Sequence, residues 1–356
     1  MNPLPAAVLE PQTSHSDWLI CPDCGGALNR RGNALDCCDC GHTWPVVDGV
    51  PHFVSDFAYW GEIPEQQMRQ VNVHAAACSW RSALLDSSEP VVQRASGMIL
   101  NLERANWQWL VDLPPESRVL DLGAGMGTTT HALAARFHEV VAVEPVMERV
   151  AFMSERFRQE GLTNARVVRS SLWVLPFRSE SFDLVAMNGV LEWVPEGRNE
   201  NPRKLQLKAL EKACGLLRPG GYLYLGIENR MTPGYFVGYP DPHCSVPFVT
   251  VLPRPLAHWY ARRRGLPGYR NYLYSSRGYR KLLEESGFTD VQIYLAVPSY
   301  NHPRYLIPLE QRVFDYFSRT FNATEPGGLR GMLRRLLSRA GLSKYLEYSY
   351  VIVARK

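Results

Sequence analysis

Residues 118–137 read RVLDLGAGMGTTTHALAARF, and this stretch decides the fold. Val119–Leu122 is a short apolar run around Asp121, the pattern of a buried strand. Gly123, Gly125 and Gly127 then permit a tight loop, because glycine enters the left-handed region without steric cost. Thr128–Phe137 follows with helical spacing. Strand, glycine loop and helix in that order form the corner of an open α/β sheet, where ligands sit beyond the carboxyl ends of strands. The pattern is G-x-G-x-G. Position 128 is Thr, where a dinucleotide fingerprint requires Gly.

Working outward, a second strand, Glu139–Val143, ends in Glu144, 23 residues beyond Asp121. A carboxylate at that tip suits a ribose diol, since it accepts hydrogen bonds from both hydroxyls. The run VVRSSLWVLPFRSESFDLVAMNGVLEWV, Val167–Val194, supplies a strand, an L-P-F turn, another strand and a loop at Asn188. In CGLLRPGGYLYLGIENR, the Pro-Gly-Gly reads as the turn into a fifth strand, Tyr222–Ile227. Ile293–Ala296 reads as a sixth strand, and the alternating EYSYVIVARK as a final one. Residues 55–115 read as a mostly helical linker or cap, with a long helix over Val91–Leu113. The segments 231–274 and 298–343 break the rhythm and read as insertions.

Taken in order, these blocks resemble the class I S-adenosylmethionine-dependent methyltransferases, over about residues 105–297 and the last strand. The resemblance implies a Rossmann-like α/β domain over 116–356, its seven strands ordered 3-2-1-4-5-7-6, with the two insertions as lids beside the carboxyl ends of the strands. It implies S-adenosylmethionine as cofactor. Asp121, Gly123 and Gly125 fall at its methionine end, Glu144 at its ribose, and Ser171 and Leu172 at its adenine. Gly127 and Asn188 complete the expected cofactor set. Family members usually carry Asp where this chain has Ser171, so a hydroxyl there offers a less charge-assisted bond.

A second motif lies near the N-terminus. Cys21-Pro-Asp-Cys24-Gly and Cys37-Cys-Asp-Cys40-Gly are two C-x-x-C pairs, each followed directly by glycine. Such turns aim backbone N–H groups at thiolates, and two of them offer four sulfurs in a tetrahedron, the closed geometry of structural zinc. Cys21, Cys24, Cys37 and Cys40 are therefore the expected metal ligands, with Cys38 as spectator and a hairpin at Ala27–Leu35. A redox dithiol, incidental buried cysteines, or His42 in place of one sulfur are the alternatives. The continuation WPVVDGVPHFV makes residues 18–54 resemble the short zinc-ribbon proteins that serve as activating partners of methyltransferases.

Methyl transfer mainly requires alignment of the acceptor, and a hydroxyl acceptor also gains from a general base. His243 and Asp241, then Glu192, with Glu228 beside them, are the candidates after the fourth and fifth strands. The insertion around them is dense in Tyr, Pro and Arg, which suits a sugar, a nucleotide or another planar acceptor. Residues 248–288 also resemble methyltransferases associated with bacterial cell-surface polysaccharides and glycoconjugates.

The 356 residues carry a net charge of +4, which hides an asymmetry. Residues 251–356 hold 18 Lys+Arg against 7 Asp+Glu, whereas 1–250 hold 21 against 28. A basic C-terminal third suits an anionic ligand. Leu329–Lys344 reads as an amphipathic helix that packs on its own domain or lies on an anionic membrane. No apolar run is long enough to span a bilayer and the first residues lack the order of a secretory signal, so the expected compartment is cytoplasmic. The expected function is O-methylation of a small-molecule or carbohydrate acceptor. An RNA methyltransferase gripping phosphates through the ribbon and the basic C-terminal region is the alternative, and a non-catalytic ligand-binding or partner-activating protein a third.

Overall fold

The computed structural model describes residues 17–55, 57–321, 336–337 and 340–356. Its small N-terminal sheet is a meander of β1 (Leu28–Arg31), β2 (Ala34–Cys37), β3 (Thr43–Val47) and β4 (Val50–Pro51). Helices α1 (Glu65–Ala77), α2 (Trp80–Leu85) and α3 (Pro90–Leu100) follow, then a 3-10 helix over Leu102–Leu110. The expected long helix over Val91–Leu113 is thus two elements. Asn101 leaves the helical region, and its side chain accepts from the Glu103 amide at 3.2 Å. A side chain that competes for backbone donors favours such a break.

The large sheet is built from β5 (Arg118–Leu122), β6 (Glu139–Glu144), β7 (Ala165–Arg169), β8 (Phe182–Asn188), β9 (Leu217–Glu228), β10 (Thr289–Ser299), β11 (His302–Pro308) and β12 (Ser349–Arg355). Across the sheet the order is β7-β6-β5-β8-β9-β12-β10-β11. The first seven reproduce the expected 3-2-1-4-5-7-6, with β7, β6, β5, β8 and β9 parallel and β12 antiparallel to both of its neighbours, so that β10 runs with the parallel set. β11 is an eighth, antiparallel edge strand. It arises inside the segment read as the second insertion. Pro219-Gly220-Gly221 is not a turn before β9 but lies within it, where the pairing with β8 shifts register.

Both sheet faces are buried, which is why these strands read as nearly continuous apolar runs. Leu120, Val141, Val185, Leu225 and Ile352 point into one core, and Val119, Val140, Ala186 and Val353 into the other. The first face is covered by α6 (Pro202–Leu216) and α9 (Ser276–Glu285), the second by α4 (Thr128–Ala134), α5 (Met147–Gln159) and the 3-10 helix. Helices α7 (Pro233–Phe236) and α8 (Arg254–Arg263) lie in the first insertion, where Val249, Ala257, Ala261 and Tyr269 make a small core of their own. Helix α10 (Gln311–Phe321) follows β11.

The N-terminal module is fused to this sheet rather than tethered beside it. Trp18 meets the Phe177 and Phe182 rings at 5.6 and 6.2 Å, and Leu28, Leu35, Val46 and Phe53 belong to the same core as β8 and β9. Main-chain bonds seal the joint, from Ile20 N to Pro176 O and from Phe53 N to Arg169 O, both at 2.9 Å. Most of the amphipathic segment at 329–344 lies outside the described residues, as do residues 1–16. Among the described residues no helix is long and apolar enough to cross a membrane.

Candidate functional site

A cavity of about 880 Å³ opens at the carboxyl ends of β5, β6 and β8. Of the residues expected at a cofactor, Asp121, Gly123, Gly125, Glu144, Ser171, Leu172 and Asn188 all line it. Asp121 ends β5 buried, its Oδ2 accepting from Thr130 Oγ1 at 2.6 Å. Burial raises its carboxyl to about 6, against the pull of Thr130 and Arg104. Glu144 is 2% exposed at the tip of β6. Its two oxygens accept from the Gly125 and Val146 amides at 2.9 and 3.1 Å, and burial pushes this carboxyl up as well.

Gly127 departs from the expected set. It is absent from the cavity wall and caps α4 with φ of 75°. A Cβ there would lie 2.7 Å from Met153 Cγ and 2.9 Å from the Phe157 ring. Its requirement for glycine comes from helix packing behind the loop. Gly123 is different. It does line the cavity, and a Cβ on it would meet Val190 Cγ2 at 2.7 Å.

Several wall residues had no signal in the motifs. In the 3-10 helix, residues three apart eclipse, so Arg104 and Trp107 share a face. Trp107 stacks flat on Tyr224 of β9 at 3.5 Å, which brings Arg104 into the cavity. With the Asn188 amide oriented to donate to Tyr224 Oη, its Oδ1 accepts from Arg104 Nε and Nη2 at 2.7 and 2.8 Å. Arg104 therefore puts a fixed positive charge beside Asp121. The segment just after the small sheet closes the other side. Trp60 meets Trp193 at 4.6 Å and lies under the Arg149 guanidinium, which pairs with Glu62 and stands 4.0 Å from Glu144 Oε2. Arg198 covers the Trp173 ring at 4.2 Å, and both line the cavity.

The expected catalytic residues do come together, but behind this wall. His243 Nδ1 lies 2.9 Å from Asp241 Oδ1, and its Nε2 lies 3.8 Å from Glu192 Oε1 and 3.7 Å from Glu228 Oε2. None of the four lines the cavity. Trp193 does, and its far side meets the His243 ring at 4.9 Å. Burial works against an imidazolium here, yet Asp241, Glu192 and Glu228 outweigh it and push His243 up to about 10. Burial, then the like charge of Glu192, raises Glu228 to about 7.

At the N-terminus, the sulfurs of Cys21, Cys24, Cys37 and Cys40 lie within 4.8 Å of one another. Cys21 and Cys40 are 3.8 Å apart, Cys24 and Cys37 3.4 Å. Zinc–sulfur bonds of about 2.3 Å in a tetrahedron place sulfurs roughly 3.8 Å apart, so the set fits that ion. Backbone N–H groups of Cys40 and Asp39 pull the Cys37 thiol down to about 6. Cys38 points away and accepts from Asn29 Nδ2 at 3.1 Å. His42 is engaged elsewhere, paired with Asp23 at 2.7 Å and stacked on Trp44.

Residues 120–225 match the family model described as Methyltransferase domain. Among curated relatives, a tRNA (guanine-N(7)-)-methyltransferase of Nitrosomonas eutropha is 31% identical over 116 residues, covering 31% of this chain and 51% of that protein. A trans-aconitate 2-methyltransferase of Variovorax paradoxus is 32% identical over 124 residues, covering 35% and 43%. The chain thus spans about half or less of the length of these relatives. Among solved structures, phosphoethanolamine N-methyltransferase 2 of Haemonchus contortus superposes with a TM-score of 0.42 at 16% identity, over 86% of this chain and 62% of that one.

Proposed function

We propose that the chain is an S-adenosylmethionine-dependent methyltransferase acting on oxygen in a small-molecule or carbohydrate-type acceptor. One observation carries the reading: Asp121 and Glu144, buried carboxylates at the tips of adjacent strands, face one cavity with the Gly123–Gly125 turn between them. In this reading Asp121 accepts from the cofactor's ammonium, Arg104 faces its carboxylate, Glu144 turns to the ribose diol, and Ser171 and Leu172 border the adenine. When bound, the cofactor supplies a methyl group on a sulfonium, and the chain's task is to align the acceptor with it. Trp60, Trp173, Trp193 and Arg198 give the cavity aromatic faces and a guanidinium, the surfaces that hold a sugar or a planar ring. The proposal assigns no general base, because His243, Asp241 and Glu192 stand behind Trp193.

Cys21, Cys24, Cys37 and Cys40 hold a structural zinc in this reading, fixing the module from which residues 57–62 descend onto the cavity. The decisive experiment transfers a tritiated methyl group from the cofactor to a whole-cell extract, then fractionates it into RNA, lipid, polysaccharide and small molecules. Label in polysaccharide or small molecules supports the proposal, and absence of label everywhere defeats it. Label confined to RNA favours the second reading, which the basic residues 251–356 and the tRNA-methylating relative motivate. Salt separates the two readings independently. Phosphate-dominated binding weakens steeply with added salt, whereas binding of a neutral sugar does not.

A further inference from the structure

Glu192 and Glu228 pose a problem that methyl transfer does not answer. Glu192 is 1% exposed, and neither of its carboxylate oxygens has a hydrogen-bond partner among the described residues. Glu228 is 5% exposed. Its Oε1 accepts from Tyr300 Oη at 3.1 Å, while Oε2 has no hydrogen-bond partner among the described residues. Both bare ends face the His243 ring at distances too long for a hydrogen bond. Buried carboxylates without such partners are strongly disfavoured unless a positive centre stands between them.

The rest of the cluster is built to present His243 to that point. Asp241 is 0% exposed and its carboxylate is saturated. Oδ1 accepts from the backbone N and Nδ1 of His243, both at 2.9 Å, and Oδ2 from Thr250 Oγ1 and Tyr269 Oη at 2.7 and 3.1 Å. An aspartate that accepts the Nδ1–H hydrogen bond fixes the ring so that Nε2 faces the two glutamates, and a cation that displaces the Nε2 proton meets its lone pair there, which is how proteins orient a metal-binding histidine.

We propose that Glu192, Glu228 and His243 Nε2 form a second metal site, for a divalent first-row cation, with Asp241 as the residue that positions the imidazole. The one imidazole and two carboxylates suit Mn²⁺ or Zn²⁺, and a four-thiolate set suits Mn²⁺ poorly. One candidate donor atom from each lies within 4.8 Å of the other two. Metal–ligand bonds of about 2.0–2.2 Å in a tetrahedron place neighbouring donors roughly 3.3–3.6 Å apart, slightly inside the 3.8 and 3.7 Å that separate His243 from the two glutamates. The cation would pin the first insertion, which carries His243, to the carboxyl ends of β8 and β9. It would do so directly behind Trp193, setting that wall of the cavity. This inference holds whether or not the chain transfers methyl groups.

The test titrates the chelator-treated full chain with Mn²⁺, following free ion by electron paramagnetic resonance and the melting temperature with and without ion. The expected result is one bound Mn²⁺ per chain and a melting temperature raised by the ion. E192Q and E228Q keep the shape of each side chain and should weaken binding by more than about tenfold, and D241N by about 10–100-fold. Cys24→Ser should leave Mn²⁺ binding intact. No Mn²⁺ bound at millimolar concentration, or binding unchanged in both glutamine variants, overturns the site. So does a pair of glutamine variants that melt above the wild type while the wild type ignores the ion, because the carboxylates would then be a repulsive pair held by an imidazolium alone.

Discussion

Trp193 touches two separate worlds: it lines the cavity with Trp60 at 4.6 Å, and it meets the His243 ring edge-on at 4.9 Å. The chemistry-bearing residues of this chain therefore divide into a cavity set around Asp121 and Glu144 and a closed set around His243. Substitution should separate them. W193A is expected to raise the KM for the acceptor several-fold more than the Kd for S-adenosylmethionine, as read by acceptor kinetics beside calorimetry. Equal losses in both would show that Trp193 is only a structural wall.

Asp121 supplies a pH signature. Its carboxyl is raised to about 6 by burial, above the ordinary carboxylate value, so the folded state holds the proton more tightly than the unfolded chain. The linked stability is fully present below the unfolded value near 4 and is lost as pH rises through about 6. D121N should therefore melt higher than the wild type at pH 7, by at most about 3 kcal/mol of stability, and show no such gain at pH 4. Cofactor binding moves the other way. It needs the carboxylate, so the Kd should weaken up to about tenfold per unit below pH 6 in the wild type and not in D121N.

Arg104 is the strongest of the residues that the motifs did not mark. R104M removes two charge-assisted bonds to Asn188 and the positive charge beside Asp121. Calorimetry should show the cofactor bound about 10–100-fold more weakly, since such bonds carry about 1.5–3 kcal/mol. An unchanged Kd would remove Arg104 from the binding site.

Gly127 tests the separation of packing from binding. G127A places a side chain in the left-handed region and against Met153 and Phe157. The expected loss is about 2–4 kcal/mol of stability, measured by denaturant unfolding. Cofactor affinity of the remaining folded protein should hold, because the residue does not line the cavity.

The small sheet should act on the cavity both through its joint with the large sheet and through the zinc proposed for its four thiolates. Trp18→Ala strips the aromatic contact with Phe177 and Phe182 and should cost about 3–5 kcal/mol. Cys21→Ser with Cys40→Ser should abolish bound zinc, measured by elemental analysis, and loosen the descent of Tyr59 and Trp60 onto the cavity. Weaker cofactor binding should follow in proportion to lost order, and can be checked by hydrogen exchange over residues 45–62. Loss of zinc with unchanged exchange there would uncouple the module from the site.

The chain order of motifs determined much of this protein. Strand, glycine loop and helix at 118–137, the carboxylate at Glu144 and the alternating final strand are local patterns, each fixed by its own periodicity or by glycine's freedom. Through the family resemblance that they carry, they implied the seven-stranded order and eight cofactor residues, seven of which line the cavity. Paired C-x-x-C-G turns likewise carried their own geometry, including the outward turn of Cys38. What the sequence lacked was any statement of contact across the chain. Arg104 reaches the cavity only because a break at Asn101 changes the helix type and Trp107 finds Tyr224. Trp60 closes it only because the small sheet shares a core with the large one. His243 and the glutamates were legible as reactive side chains, but Trp193 decided that they face one another and not the cavity. Periodicity is written residue by residue. Which side of a wall a side chain occupies is decided when distant segments pack together.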